Sequence, residues 1–178
     1  MLYHVQALKK DGTLHGGIEG FFREKDILQL SLNVIARLSQ IRCRDNEIYI
    51  VENPSVFAMI CEEKSCMCMN GQPRLSCLMV LKLLARSGTH VFYSGDLDPE
   101  GMLIAQKLSR FYPGRFTYWH MAEEDYKVCQ SQEILSERRL KMLEKITDER
   151  LLPVVNNMVR CRKAGYQENL HWCSLDMQ

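Results

Sequence analysis

The sequence has no excess of charge of either sign. Its 23 Lys and Arg residues face 22 Asp and Glu, a formal net charge of +1. That excludes a globally basic nucleic-acid coat, so any contact with phosphates has to come from a local patch. No apolar run is long enough to cross a bilayer, and the N-terminal stretch lacks a signal-peptide pattern. There is no internal repeat and no low-complexity tract. The five histidines, His4, His15, His90, His120 and His171, form no pair at helical or metal-ligand spacing, so they read as structural. Cysteine, by contrast, is abundant: Cys43, Cys61, Cys66, Cys68, Cys77, Cys129, Cys161 and Cys173. Several of them lie inside apolar stretches, which argues against a disulfide framework and for a reduced, cytoplasmic protein without membrane association. Cys66-Met67-Cys68 lacks the two-residue gap and the second pair of a zinc site; in a strand the two thiols point to opposite faces.

The 178 residues suit one domain with a small appendage, long enough to bury a core without staples. Residues 1–20 are glycine-rich and read as loops. Ile27, Leu28, Leu30, Val34, Ile35 and Leu38 fall near helical spacing, predicting a helix over 23–38. Together, residues 1–44 read as an irregular or helical lead-in, the remnant of a longer N-terminal region. The domain proper, 45–178, then alternates. Strands are predicted at Ile48–Val51, Ser65–Met69, His90–Tyr93 and Phe116–Trp119. Helices are predicted at Ser55–Cys61, Arg74–Arg86 and Met102–Phe111, with two more after Gln132 separated near Asp148. Short connections between alternating strands and helices imply an α/β fold: a four-stranded, mainly parallel sheet with helices on both faces, followed by C-terminal helices. Ligands of such sheets sit beyond the carboxyl ends of the strands.

Carboxylates stand at two of those ends. Val51 is followed by Glu52, and Tyr93, a few residues on, by Asp96 and Asp98. If the two strands are neighbours, all three carboxylates share one rim. Converging carboxylates repel and raise each other's pKa values, and a hard divalent cation relieves that repulsion; Mg2+ (or Mn2+) suits oxygen ligands of this kind. In an extended Asp-x-Asp segment the two carboxylates share a face. Pro99 fixes the turn, and Gly101 lets the chain enter the next helix closely. Taken singly, each of these acids has an ordinary structural role, as a cap, a turn former or a solvated strand end.

A strand ending in glutamate followed by a strand ending in Asp-x-Asp resembles the signature of Toprim domains, found in topoisomerases, primases and related nucleases. The segment Gly95-Asp96-Leu97-Asp98-Pro99-Glu100-Gly101 is similar to the corresponding motif of the topoisomerase VI A-subunit. The segments Ile50-Val51-Glu52-Asn53-Pro54-Ser55-Val56, Gly71-Gln72-Pro73 and Ala164-Gly165-Tyr166-Gln167-Glu168 resemble the C-terminal domain of the DUF2399 family, which looks like the nuclease subunit of Wadjet-type anti-plasmid systems working beside an SMC-like ATPase. The resemblance covers about residues 45–172. It implies a Toprim-like fold and metal-dependent DNA cleavage, with Glu52 as metal ligand or general acid/base and Asp96 and Asp98 as metal ligands. DNA and an SMC-like ATPase complex are the implied partners, and a homodimer is left open. Members of that family carry a sizeable DNA-binding and partner-binding region before this domain, where here only about 45 residues precede the first predicted strand. Topoisomerases of this type use a tyrosine from a winged-helix domain as nucleophile; with no such domain in the sequence, water is the expected nucleophile.

Other residues carry weaker signals. Glu100 can add a ligand or simply favour a helix N-terminus. Gly71, Gln72 and Arg74 precede a helix whose free N–H groups can hold a phosphate or DNA backbone. Glu123-Glu124-Asp125 reads as a solvated helix start, and Tyr126 as packing. From Arg138 to Lys163 eight basic residues face three acidic ones, a weak local basic face. Two other classes use Asp-x-Asp. Haloacid-dehalogenase-type phosphatases place it after their first strand, and nucleotide-sugar glycosyltransferases leave the Glu52 strand end unexplained. A non-catalytic Toprim-like scaffold that docks DNA or a partner protein is the competing reading.

Overall fold

The computed structural model describes residues 1–62, 64–170 and 172. His171 and Cys173 lie outside the described residues. The chain divides into two compact units: residues 1–93 with 112–117, and residues 94–111 with 118–178.

The first unit is built on a five-stranded sheet. Its strands are β1 (Leu2–Tyr3), β4 (Glu47–Val51), β5 (Cys66–Cys68), β6 (His90–Ser94) and β7 (Phe116–Tyr118), in the order β1-β5-β4-β6-β7. The sheet is mixed and mostly parallel. β4 and β5 run parallel, with Tyr49 opposite Cys66 and Val51 opposite Cys68. β4 and β6 run the same way: Asn46 Nδ2 donates to Gly88 O at their start (3.1 Å), and the Tyr93 hydroxyl donates to Glu52 at their end. The edge strand β1 pairs antiparallel with β5, Leu2 opposite Met67.

The sequence makes these strands by short apolar runs. Ile48, Ile50, Val51, Cys66, Met67, Cys68, Val91 and Tyr93 are all buried, as expected of strands covered on both faces. Both Cys66 and Cys68 are free thiols, and burial pushes the Cys66 thiol well above its ordinary value. Helix α3 (Pro54–Ile60) starts where the sequence says it should. Asn53 caps it by accepting the Ser55 N–H (2.7 Å), and Pro54 occupies the first turn, where a missing N–H costs nothing. It buries Val56 and Phe57. Helix α4 (Leu75–Arg86) buries Val80, Leu81, Leu83 and Leu84 and packs on a two-stranded ribbon, β2 (Val5–Lys9) with β3 (Leu38–Cys43). At its end the Ser87 hydroxyl donates to Ile41 O (2.5 Å), and Arg86 Nη1 donates to Ser39 O (3.0 Å).

The alternation from Ile48 to Tyr118 matches the sequence reading, but the first forty residues do not. The predicted loop over 1–20 contains β1, β2 and the start of α1 (Gly16–Glu24). The predicted helix over 23–38 is broken instead: α1 stops at Lys25, which is left-handed (φ 57°), and only α2 (Leu32–Ile35) remains helical before β3 begins. The sheet therefore has five strands rather than four, with an antiparallel edge.

The second unit contains α5 (Pro99–Phe111), α6 (Glu123–Cys129), β8 (Gln130–Ile134), α7 (Glu137–Leu143), α8 (Leu152–Cys161) and β9 (Lys163–Gly165). β8 and β9 pair antiparallel, Gln130 opposite Gly165. This departs from the expected pair of helices after Gln132 by one strand; the helices follow it, with Pro153 in the first turn of α8. Gln106, 3% exposed in the middle of α5, ties the unit together: its Oε1 accepts the N–H groups of Thr147 (2.6 Å) and Asp148 (2.9 Å), and its Nε2 donates to Lys145 O (3.0 Å). Among the described residues no helix is long and apolar enough to cross a membrane.

Candidate functional site

Glu52 follows β4 directly in the first unit. Its carboxylate accepts the hydroxyl of Tyr93, a fully buried residue of β6. A buried phenol needs an acceptor, so this contact fixes the Glu52 side chain at the strand end. The backbone beside it is also fixed: Glu52 O accepts the Gly71 N–H (3.3 Å), and Gly71 has φ +85°, a conformation glycine adopts without a Cβ clash. Gln72 and Arg74 are exposed beyond that turn, Arg74 at the start of α4 with no side-chain cap bond of its own.

The acidic turn belongs to the second unit. Leu97 is buried and pairs with Gly165 through two backbone hydrogen bonds (2.9 and 2.8 Å). That bridge pins the middle of Asp96-Leu97-Asp98 and leaves the two half-buried carboxylates flanking it. Asp96 Oδ1 accepts the Gln167 N–H (2.9 Å). Asp98 Oδ1 accepts the Gly101 N–H (2.7 Å), capping α5, while Asp98 O accepts the Met102 N–H. Glu100 lies in the first turn of α5, where the helix dipole favours an anion.

Among the described residues one cation serves this turn. Arg139 stands in the first turn of α7, its own N–H held by the capping Ser136 hydroxyl (3.4 Å). Its Nη2 donates to Asp98 Oδ2 (2.6 Å) and to Glu100 Oε2 (2.6 Å), its Nε donates to Glu100 Oε2 (3.0 Å), and its Nη1 donates to Glu133 Oε1 (2.5 Å). Glu133 also accepts the Tyr166 hydroxyl. The pairs are largely shielded: the Arg139 side chain is 23% exposed and that of Asp98 13%. Burial alone would lower the Arg139 pKa, but hydrogen bonds to Glu100 and the charges of Asp98, Glu100 and Glu133 outweigh it and raise it further.

Asp98 is nonetheless pushed above the usual carboxylate range. Burial is the largest cause, the neighbouring charges of Glu100 and Asp96 add to it, and the Gly101 N–H and Arg139 only partly offset them. Asp96 is raised too, first by burial and then by Glu168, against the pull of the Gln167 N–H. A carboxylate with a raised folded pKa adds stability below its unfolded value, about 3.9, and that stability is lost as pH rises through the folded pKa. Asp96→Asn keeps an oxygen for the Gln167 N–H and removes the charge. It is expected to stabilise the chain at pH 7 by about 0.5–2 kcal/mol, at roughly 2–4 °C of melting temperature per kcal/mol. Below pH 4 the gain should vanish. Thermal melts at both pH values check this, and a loss of stability at pH 7 would contradict the assignment.

Gln167 adds a feature that composition and spacing do not reveal. It is 1% exposed, its Nε2 donates to Ser94 Oγ (2.8 Å), and its Oε1 has no hydrogen-bond partner among the described residues. The segment Ile50-Val51-Glu52 and the turn Asp96-Leu97-Asp98 are both covered by a family model, described as "Protein of unknown function C-terminus (DUF2399)", that matches residues 28–172.

The chain belongs to the DUF2399 family.

No curated protein matches this DUF2399 chain. Its acidic residues do not, as they stand, fit a metal ion: among the described residues no group of three or more His, Cys, Asp or Glu is arranged to hold one. The oxygens of Asp98 and Glu100 are instead engaged by Arg139 and by the Gly101 N–H. Of the weaker sequence candidates, Asp125 closes the start of α6 by accepting the Ala122 N–H (2.8 Å), and Tyr126 is buried, its hydroxyl donating to Lys163 O (2.9 Å). Sequence reasoning named Arg139 only as one of eight basic residues between 138 and 163. Gln167 it quoted only within the segment shared with the family.

Proposed function

We propose that this DUF2399 chain is a Toprim-like scaffold that binds DNA through exposed basic side chains of its second unit. The observation that carries the reading is the engagement of the acidic turn. Asp96 and Asp98 are satisfied by N–H groups of the chain and by Arg139 rather than gathered around a cation-sized space. Arg138 and Lys141 on α7, Lys145 just beyond it and Arg160 on α8 are exposed. Neutralising phosphates with such side chains releases counterions and gives affinity without sequence preference. Anisotropy titrations of labelled duplex DNA in EDTA should show binding that weakens steeply with salt. The double substitution Arg138→Glu with Lys141→Glu should weaken it by about tenfold or more, since it removes two phosphate contacts and adds two repulsive charges. A folded chain with no DNA binding at low salt overturns the reading, and docking of a partner protein takes its place.

A second reading keeps the family resemblance whole: Mg2+- or Mn2+-dependent nicking or cleavage of DNA as a subunit of an SMC-like plasmid-defence system, with Glu52, Asp96, Asp98 and Glu100 as its acidic residues. What favours it is the raised pKa of both Asp96 and Asp98. Half-buried carboxylates with raised pKa values concentrate at functional sites.

A further inference from the structure

Two arginines of the second unit are held in place largely by groups other than carboxylates. Arg110, exposed near the end of α5, donates through Nη2 to the Thr147 hydroxyl. Arg150, exposed in the connection between α7 and α8, reaches back and donates through Nη2 to the Ser109 hydroxyl (2.7 Å). The two side chains therefore cross one seam in opposite directions. We propose that Arg110 and Arg150 are a pre-positioned pair that contacts the phosphate backbone of DNA. The proposal rests on the DNA-binding reading above and names where on the second unit the backbone is met.

The seam beneath them is fixed. Gln106, one turn before Arg110 on α5, takes the N–H groups of Thr147 and Asp148. The loop that Arg110 bonds, and to which Arg150 belongs, is thereby tied to the helix that carries Arg110. The Arg150 guanidinium also lies 4.5 Å over the Tyr118 ring. Between them the two arginines have one carboxylate: Asp148 accepts Arg150 Nε (3.0 Å) and Nη2 (2.7 Å), and it also accepts the Tyr118 hydroxyl (2.7 Å). Among the described residues Arg110 has no ion pair and bonds a neutral hydroxyl, whereas Arg139 is surrounded by three acids. Glu144 and Glu149 are exposed in the same connection, as are Lys145 and, on α5, Lys107. The local net charge is therefore small, and attraction depends on where the guanidinium groups are held. Arginine suits that role, because its planar fork matches a phosphate and loses less freedom per hydrogen bond than lysine does.

The test is fluorescence anisotropy of a labelled DNA duplex in EDTA over a salt series, with the intact chain unmodified, as Arg110→Gln, as Arg110→Lys, and as Arg110→Gln combined with Arg150→Gln. Circular dichroism and a thermal melt check that each variant is folded. Arg110→Gln should weaken binding by about fivefold or more at about 0.1 M salt, and it should make the fall of log affinity with log salt shallower by about one, the mark of one lost phosphate contact. The double variant should make it shallower by about two. Arg110→Lys, which keeps the charge but not the fork, should lie between Arg110→Gln and the unmodified protein. A purely structural role would lower the melting temperature and leave the salt dependence as it is. If the double variant fails to fold because Asp148 loses its partner, the exposed Arg110 decides the matter alone. Unchanged affinity and salt dependence in Arg110→Gln overturn the arginine pair, and the DNA-binding reading stands if Arg138→Glu with Lys141→Glu still weakens binding. No binding by the unmodified, folded chain at low salt overturns both.

Discussion

Gly101→Ala is expected to lower the stability of the chain by about 2–4 kcal/mol, the scale of overpacking a site that cannot relax. At most positions inside a helix the same change is stabilising by up to about 1 kcal/mol, because glycine is the poorer helix former. Here the sign reverses. A Cβ on Gly101 would fall inside contact distance of the Asp96 carbonyl oxygen, 3.0 Å from its carbonyl carbon and 3.2 Å from its nitrogen. Those atoms are backbone and have nowhere to go, since Leu97 is bridged to Gly165 and the Asp96 carboxylate is tied to the Gln167 N–H. The Gly101 N–H also caps the helix by donating to Asp98. Urea unfolding of Gly101→Ala measures the loss, and an unchanged or raised midpoint would show that the turn is softer than this packing implies. Because the strain falls on Asp96 and Asp98 themselves, any activity that depends on them should fail in the same variant.

Gly101 is a case where sequence reasoning reached the right physics. A glycine two residues inside a helix start, after Asp-x-Asp-Pro, has few explanations other than close approach. The strands β4 to β7 were legible for a similar reason. Each is a short apolar run closed by a breaker: Asn53-Pro54 after β4, Asn70-Gly71 after β5 and Pro113-Gly114 before β7. The first forty residues were misread because their apolar spacing is ambiguous. Val34, Ile35 and Leu38 suit a helix face, but Leu38 is buried in β3, which exists through its pairing with β2 and its packing under α4. Long-range pairing of that kind overrides local pattern. β8 was illegible for the opposite reason. Most of its side chains are exposed, so it carries no apolar period, and only backbone pairing with β9 makes it a strand.

The site divides the same way. Asp96 and Asp98 could be found because strand-end carboxylates have a spacing rule. Arg139 could not: it is 41 residues from Asp98, on a helix where a basic residue is ordinarily just solvated surface. Nothing in its neighbourhood in the chain marks it as the partner of an acidic turn. The buried Gln167, which meets Asp96 through its N–H and Ser94 through its side chain, is equally invisible to any rule of spacing.

On the catalytic reading, in a plasmid-cleavage assay with Mg2+ or Mn2+ and an SMC-like ATPase complex supplied, Asp98→Asn and Glu52→Gln should each slow cutting by about 100-fold or more, the scale of losing a positioned acid–base or charged group. Asn caps helices about as well as Asp, so Asp98→Asn keeps the bond from the Gly101 N–H while it removes the charge and the Arg139 contact at the other oxygen. Asp98→Ala would also remove the cap, at about 1 kcal/mol, and would blur a chemical loss with a structural one. Glu52→Gln leaves an oxygen to accept the Tyr93 hydroxyl, so it too separates charge from shape. The two substitutions lie in different units of the chain, so a matched loss is hard to explain by a local packing fault in either. Residual DNA affinity in EDTA supplies the control: it should be unchanged or slightly stronger in both variants, because each removes a negative charge. If Asp98→Asn cuts as fast as the unmodified protein, its carboxylate is only a helix cap and an anchor for Arg139, and the scaffold reading stands alone. If cutting is lost while DNA binding persists, Asp98 serves chemistry that the cap and the ion pair do not explain.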